Sequence, residues 1–392
     1  MAGMAAIARS GAAAPIAAPR IDANPGLAPF LKWPGGKTLE LASIAAAAPV
    51  LEGRFIDPFV GGGSVLLAVP TTVPAQANDA CGDLVELYTS AGAGSRALRE
   101  AVGGLAEAWD EMAGLDSAYS DLALAEASPA NDAEVAVGRQ VEAVRRLLAR
   151  TAPGLSATFA AQAGAEVRAK FGRIRRLEAR RGALSAEDLL ANVEGALRAS
   201  LYLAVRQRYN GARLADRWDP TRAADFLFLR EFSYASMFRF NRRNEFNVPY
   251  GGISYNRKSL SHKARLLFST PMLSRLSNTD FHSQDFQPFL AACEPTADDF
   301  VFVDPPYDSD FSAYDNRLFD AADQARLERV LAGLAARVMV VIKDAPAIRV
   351  LYSADRWQVI EAPKTYMWTI KSRNDRVATH LMITNYPLDA QR

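Results

Sequence analysis

The chain has 392 residues, 49% of them hydrophobic and 23% charged, an ordinary balance for a water-soluble globular protein long enough to bury a large core and to form two lobes. Cys81 and Cys293 are its two cysteines, which excludes a disulfide framework and a zinc-ligand spacing. His262, His282 and His380 are scattered, so no metal centre is expected. No apolar run approaches the ~18 residues that span a membrane, and a cytoplasmic protein is expected.

The first 26 residues are alanine-rich, with Arg9 and Arg20 and no acid before Asp22. They have a superficial likeness to a transit peptide, but alanine is abundant throughout, and residues 1–26 are read as a disordered tail. A helix is expected over 39–48 and a first strand over 54–56. Then comes Asp57-Pro58-Phe59-Val60-Gly61-Gly62-Gly63-Ser64, followed by apolar residues 65–68 read as the start of a helix. Glycines here let the backbone turn tightly and approach a ligand; a plain tight turn is the alternative. Leu66 stands where a dinucleotide motif has its third glycine, and no Gly-Lys-Ser/Thr sequence follows, so a nucleoside triphosphate is not expected. Asn78-Asp79 ends a short strand. Asp79 is suited to accept ribose hydroxyl hydrogens, or to cap a helix over 84–88.

Residues 91–200 read as helical, with amphipathic spacing at 110–112 and 132–150, continued over 177–198 and interrupted at Pro153-Gly154. No chemistry attaches to this stretch, which is read as a helical insertion packing on the region that follows. From 201 to 267 the chain has thirteen Lys/Arg against five Asp/Glu, although the whole carries only +1. Such a local excess is the footprint of phosphate contact, or of a solvated charged face. Within it, residues 238–247 mix arginines, amides and aromatics as a nucleic-acid-reading hairpin or loop would.

After Phe300-Val301-Phe302-Val303 stands Asp304-Pro305-Pro306-Tyr307. Proline cannot continue a central strand, so this could be a strand-ending turn. An acid, rigid prolines and an aromatic ring could also hold a planar nitrogen base by its amino edge. A helix over 321–334 and strands over 338–342, 357–360 and 379–383 complete the pattern, the last two as an antiparallel edge pair. Alternation on both sides of an inserted region predicts a doubly wound α/β sheet, in which ligands sit at the carboxyl ends of the strands. The glycine turn and Asp304 both fall there.

In order along the chain, residues 30–37 (Phe-Leu-Lys-Trp-Pro-Gly-Gly-Lys), 57–64, Asn78-Asp79, 246–251 (Phe-Asn-Val-Pro-Tyr-Gly), Ser283-Gln284-Asp285-Phe286 and Asp304-Pro305-Pro306-Tyr307 resemble the Dam-type (D12 class) adenine-N6 DNA methyltransferases. The likeness covers about 27–90 and 205–386. It implies an α/β, Rossmann-like S-adenosylmethionine-dependent fold with an inserted, mainly helical DNA-recognition lobe. The catalytic domain would be 27–90 plus 281–388, the insertion 91–200 and the target-recognition region 201–280. By matching position, Trp33 and Lys37 line the methionine end of the cofactor, while Asp57, Phe59, Gly61 and Gly63 pass beneath it. Asp79 takes the ribose, and Asp285 with Phe286 holds the cofactor's adenine. The resemblance assigns Asp304, Pro305, Pro306 and Tyr307 to the target adenine, flipped out of duplex DNA. Arg239 is placed on guanine, Arg242, Arg243, Arg257 and Lys258 on phosphates, and Asn241 and Asn247 on bases or in local turns.

Residues 234–237 read Tyr-Ala-Ser-Met where the family carries Tyr-Asn-Gly-Leu. An amide available for base reading is missing at Ala235, which leaves GATC recognition open. A monomer is expected, bacterial or phage-encoded and nucleoid-associated, and a cognate restriction endonuclease is a partner that the resemblance allows. N4-cytosine methylation and a catalytically silent DNA binder are the alternative readings.

Overall fold

A computed structural model describes residues 18–114, 129–306, 319–365 and 377–388. At its centre the run Phe300-Val301-Phe302-Val303 forms strand β4, buried along its whole length. Successive side chains of a strand point to opposite faces. Phe300 and Phe302 therefore enter one core layer, while Val301 and Val303 enter the other. Both faces are covered, which is why the run reads as uniformly apolar.

The remaining strands are β1 (Phe55–Asp57), β2 (Ala75–Asn78), β3 (Thr279–His282), β5 (Arg337–Lys343), β6 (Gln358–Thr365) and β7 (Val377–Thr384). They form a seven-stranded sheet in the order β3-β2-β1-β4-β5-β7-β6. Pairings are parallel from β3 through β5, and β7 runs antiparallel to both of its neighbours. The expected antiparallel edge pair is present: β6 and β7 pair antiparallel at one edge of the sheet, with β6 outermost and β7 next inside it. Leu381 and Ile383 of β7 are buried, as an interior strand requires. The order reverses between β1 and β4, and such a switch point opens a crevice at the strand carboxyl ends.

Against the sheet pack α1 (Leu41–Ala47) and α2 (Gly82–Gly92), and on the opposite face α10 (Phe286–Cys293), α11 (Ala321–Ala332) and α12 (Pro346–Leu351). Between α2 and β3 the chain builds a helical lobe of α3 (Arg96–Glu111), α4 (Pro129–Thr151), α5 (Pro153–Arg181), α6 (Ala186–Leu214), α7 (Pro220–Phe232), α8 (Leu260–Leu267) and α9 (Thr270–Ser277).

Several sequence expectations are revised. The helix expected at 65–68 is a single 3-10 turn, Leu66–Ala68, ending at Val69. Val69 precedes Pro70, and the residue before proline is pushed out of the helical region. The helix read over 177–198 breaks at Gly182, whose φ of 87° only glycine adopts without strain, and restarts where Ser185 caps the Asp188 N–H. Residues 18–26 are no loose tail: Ile21 is buried, Asp22 N donates to the Ala68 carbonyl, and the Pro19 carbonyl accepts from Leu51 N. The divisions at 90/91, 200/201 and 280/281 fall inside α2, α6 and β3. Residues 1–17 lie outside the described residues.

Candidate active site

Two loops meet at the switch point. β1 ends in Asp57 and runs into the glycine turn, and its neighbour β4 ends at Asp304. Gly61 (φ 48°) and Gly63 (φ 72°) take left-handed backbone. A Cβ on Gly61 would lie 2.7 Å from Trp33 Cδ1, and one on Gly62 2.9 Å from Trp33 Cβ. The turn therefore requires glycine for conformation at Gly61 and for space at both residues. Trp33 forms its back wall, and the Arg230 guanidinium lies 4.7 Å over the indole.

Three side chains hold the turn. Asp79 accepts from Gly61 N (3.0 Å) and from Cys81 N (2.8 Å), and Tyr88 Oη donates to the Gly61 carbonyl (3.0 Å). Asn78 ties the ends of β1 and β3 together, donating to the Pro58 and Gln284 carbonyls and accepting from Gln284 N. Asp79 does not cap α2, whose N-cap is Cys81. Burial pushes the Asp79 carboxyl up to about 6 against those two N–H bonds. Asp57, 2% exposed, accepts from Phe59 N at 3.0 Å. Its carboxyl is pushed well up, first by burial and then by the charges of Asp304 and Asp79.

Lys37 is 2% exposed, and its ammonium forms an ion pair with Asp304 while donating to the Gly35 carbonyl at 3.0 Å. The lysine placed at the cofactor by resemblance thus grips the acid placed on the target base. Pro305 is buried, and the Pro306 carbonyl accepts from Gln324 Nε2 at 3.2 Å. Tyr307 lies outside the described residues.

Asp285 and Phe286 begin α10. Asp285 accepts from Gln287 N and is held on both oxygens by Arg326, at 2.6 and 2.8 Å. Phe286, 3% exposed, packs in a triad with Phe59 and Phe319, centroids 5.6 to 5.8 Å apart. Arg326 covers its face at 4.2 Å. Tyr88, Phe319 and Arg326 escaped the sequence reading because each joins the site only through partners distant in the chain.

The basic region divides. Phe240 and Phe246 form an antiparallel bridge that closes a hairpin, on which Arg239, Arg242, Arg243 and Asn247 are exposed; Arg257 is exposed nearby. Asn241 is the turn-former: its Oδ1 accepts from Arg243 N and Glu245 N, and its Nδ2 donates to Glu245. It is thereby removed from base reading. Lys258 is also corrected, since its ammonium turns inward onto Glu231 and over the Tyr255 ring at 3.8 Å. Part of the positive excess is likewise internal: Arg208 pairs with Asp225, and Arg213 and Arg222 pair with Asp83.

No described helix is long and apolar enough to cross a membrane, and no described cluster could hold a metal ion. The chain is 28% identical over 207 residues to the Type II methyltransferase M1.LlaDCHI of Lactococcus lactis subsp. cremoris, covering 51% of this chain and 70% of that protein. It is 25% identical over 315 residues to the Type II methyltransferase M.MjaIII of Methanocaldococcus jannaschii, covering 77% and 78%. To the DNA adenine methylase of Escherichia coli K12 it is 27% identical over 176 residues, spanning 43% of this chain and 59% of that one. The model of the D12 class N6 adenine-specific DNA methyltransferases matches residues 33–115 and 184–366, flanking α4 and α5. With its glycine turn, its Asp-Pro-Pro segment and six of its seven strands inside those limits, the chain belongs to the D12 class N6 adenine-specific DNA methyltransferase family.

Proposed function

We propose that the chain transfers a methyl group from S-adenosylmethionine to N6 of an adenine flipped out of duplex DNA. The observation that carries this reading is the convergence, at adjacent strand ends, of the Gly61–Gly63 turn and the Lys37–Asp304 pair. The residues fit the cofactor. A turn that takes left-handed backbone at Gly61 and Gly63 lets the main chain approach a nucleoside closely, and buried Asp57 with partly buried Asp79 favours a ligand that carries positive charge. When bound, S-adenosylmethionine supplies an electrophilic sulfonium methyl. Trp33, Asp57, Phe59, Gly61, Gly63 and Asp79 would hold it, with Phe286 at its adenine end. Asp285 can serve there only while shared with Arg326.

The adenine amino nitrogen is a weak nucleophile because its lone pair is delocalised into the ring. Asp304 and the Pro305 carbonyl each accept one amine hydrogen, localising the pair toward the methyl. Lys37 fixes the Asp304 rotamer through a charge-assisted contact. The new N–C bond replaces one N–H bond and the donor's S–C bond, so the donor departs as a neutral thioether, and the released proton passes to Asp304, which at 21% exposed can hand it to water. Positioning and charge placement supply the rate, with no covalent intermediate. Flipping costs a few kcal/mol, and stacking on Tyr307 returns ~1–3 kcal/mol.

The test is incubation with unmethylated genomic DNA and S-adenosylmethionine, followed by nucleoside mass spectrometry and modification-sensitive sequencing. N6-methyladenine in one short motif is expected, and Asp304→Ala should abolish it while still binding cofactor. N4-methylcytosine would move the target to another base. No methylated base from a protein that binds both ligands would overturn the reading.

A further inference from the structure

Asp83, in the first turn of α2, is 2% exposed and holds three partners from the helical lobe. Arg222 Nε lies at 2.7 Å, Tyr209 Oη at 2.6 Å and Arg213 Nη1 at 3.2 Å. Arg213 differs from the other two because it also faces the hairpin. Its guanidinium lies 3.9 Å over the Phe240 ring, and its Nη2 donates to Asn244 Oδ1 at 3.2 Å. One planar fork thus spans the hairpin and α2. Two residues before Asp83, Cys81 N is held by Asp79, whose other oxygen receives Gly61 N. The links run unbroken from hairpin to glycine turn.

A cavity of about 560 Å³ lies beside this bridge, lined among others by Asp83, Arg213, Trp218, Phe240, Asn244 and Ser283. The hairpin is therefore not packed solidly against the ends of β2 and β3, and it has room to settle when its exposed Arg242 and Arg243 meet phosphates.

We propose that Arg213 is a positioning residue that couples the hairpin to the glycine turn through Asp83, so that duplex DNA on the hairpin tightens binding of the cofactor. The inference rests on the functional reading above. Linkage makes it reciprocal: bound cofactor raises affinity for DNA by the same factor.

The test measures the dissociation constant of S-adenosylhomocysteine, which is not consumed, on the full-length protein with and without saturating unmethylated duplex carrying its recognition motif. About fivefold or greater tightening by DNA is expected for the wild type. Arg213→Met should remove the enhancement; Arg222 and Tyr209 still satisfy Asp83, so the fold survives. Asn244→Gly removes the Oδ1 acceptor but keeps the left-handed backbone (φ 60°) that alanine would strain, and should remove the enhancement while leaving affinity without DNA unchanged. Arg213→Lys keeps the charge but not the fork, so it should also lose the enhancement; a purely structural ion pair would be rescued by lysine. An enhancement that persists in both Arg213→Met and Asn244→Gly, or none in the wild type, overturns the inference alone. A protein that binds neither probe nor DNA overturns the functional reading with it.

Discussion

Lys37 lies between the Gly35 carbonyl and the Asp304 carboxylate, so removing its charge should act on chemistry before it acts on cofactor binding. In Lys37→Met, methyl transfer should fall on the order of 10²-fold, the scale of losing one preorganised electrostatic contact, with the cofactor dissociation constant little changed. Stopped-flow single turnovers and calorimetry separate the two, and a weakened cofactor with intact turnover would return Lys37 to the methionine end. Asp79 gives a pH prediction. Folding raises its carboxyl from 3.8 to about 6 by burial, so its contribution to stability is full in acid and is lost as pH rises through about 6. Cofactor binding should run the other way, because the ionised form is the better acceptor of ribose hydroxyls: affinity weakens as pH falls below about 6, and Asp79→Asn should flatten that step in calorimetric titrations. The glycine turn and Asp304 were legible because their chemistry sits in contiguous residues. The pairing of Asp285 with Arg326 was not, since 41 residues separate them.

The hairpin shows how an element sorts residues that composition treats alike. Arg242 and Arg243 are exposed, and replacing each with Ala should weaken DNA binding across sequences and reduce the salt slope by ~1. Arg239→Ala should cost ~1–3 kcal/mol and relax sequence choice at one position; modification-sensitive sequencing of the mutant's products checks this. Lys258→Ala should leave DNA affinity unaltered and cost ~1 kcal/mol of stability, because Glu231 keeps only the longer pairing with Lys263, visible in denaturant unfolding. Apolar runs revealed β4, β5 and the helical lobe, since their periodicity is local. β3 was missed because Thr279-Asp280-Phe281-His282 is only partly buried and carries no continuous apolar run.

Across the whole molecule, the helical lobe and one sheet face share a single continuous core, so the lobe is built onto the catalytic sheet and not hung from it. Trp109 shows how the lobe is closed: it is fully buried, stacks on Phe232, lies under Arg198 and donates from Nε1 to the Lys258 carbonyl at 2.8 Å. Trp109→Ala should cost ~3–5 kcal/mol and lower the unfolding midpoint on the order of 10 °C, measurable by calorimetry. The interior place of β7 has a consequence for synthesis. On the ribosome β5 and β6 emerge before the strand that must lie between them, and the sheet stays split, with bare edges, until residue 384 has left the exit tunnel. A nascent chain stalled before Val377 would carry an open sheet with bare strand edges, so the sheet beneath the candidate site is the last part of the fold to be completed.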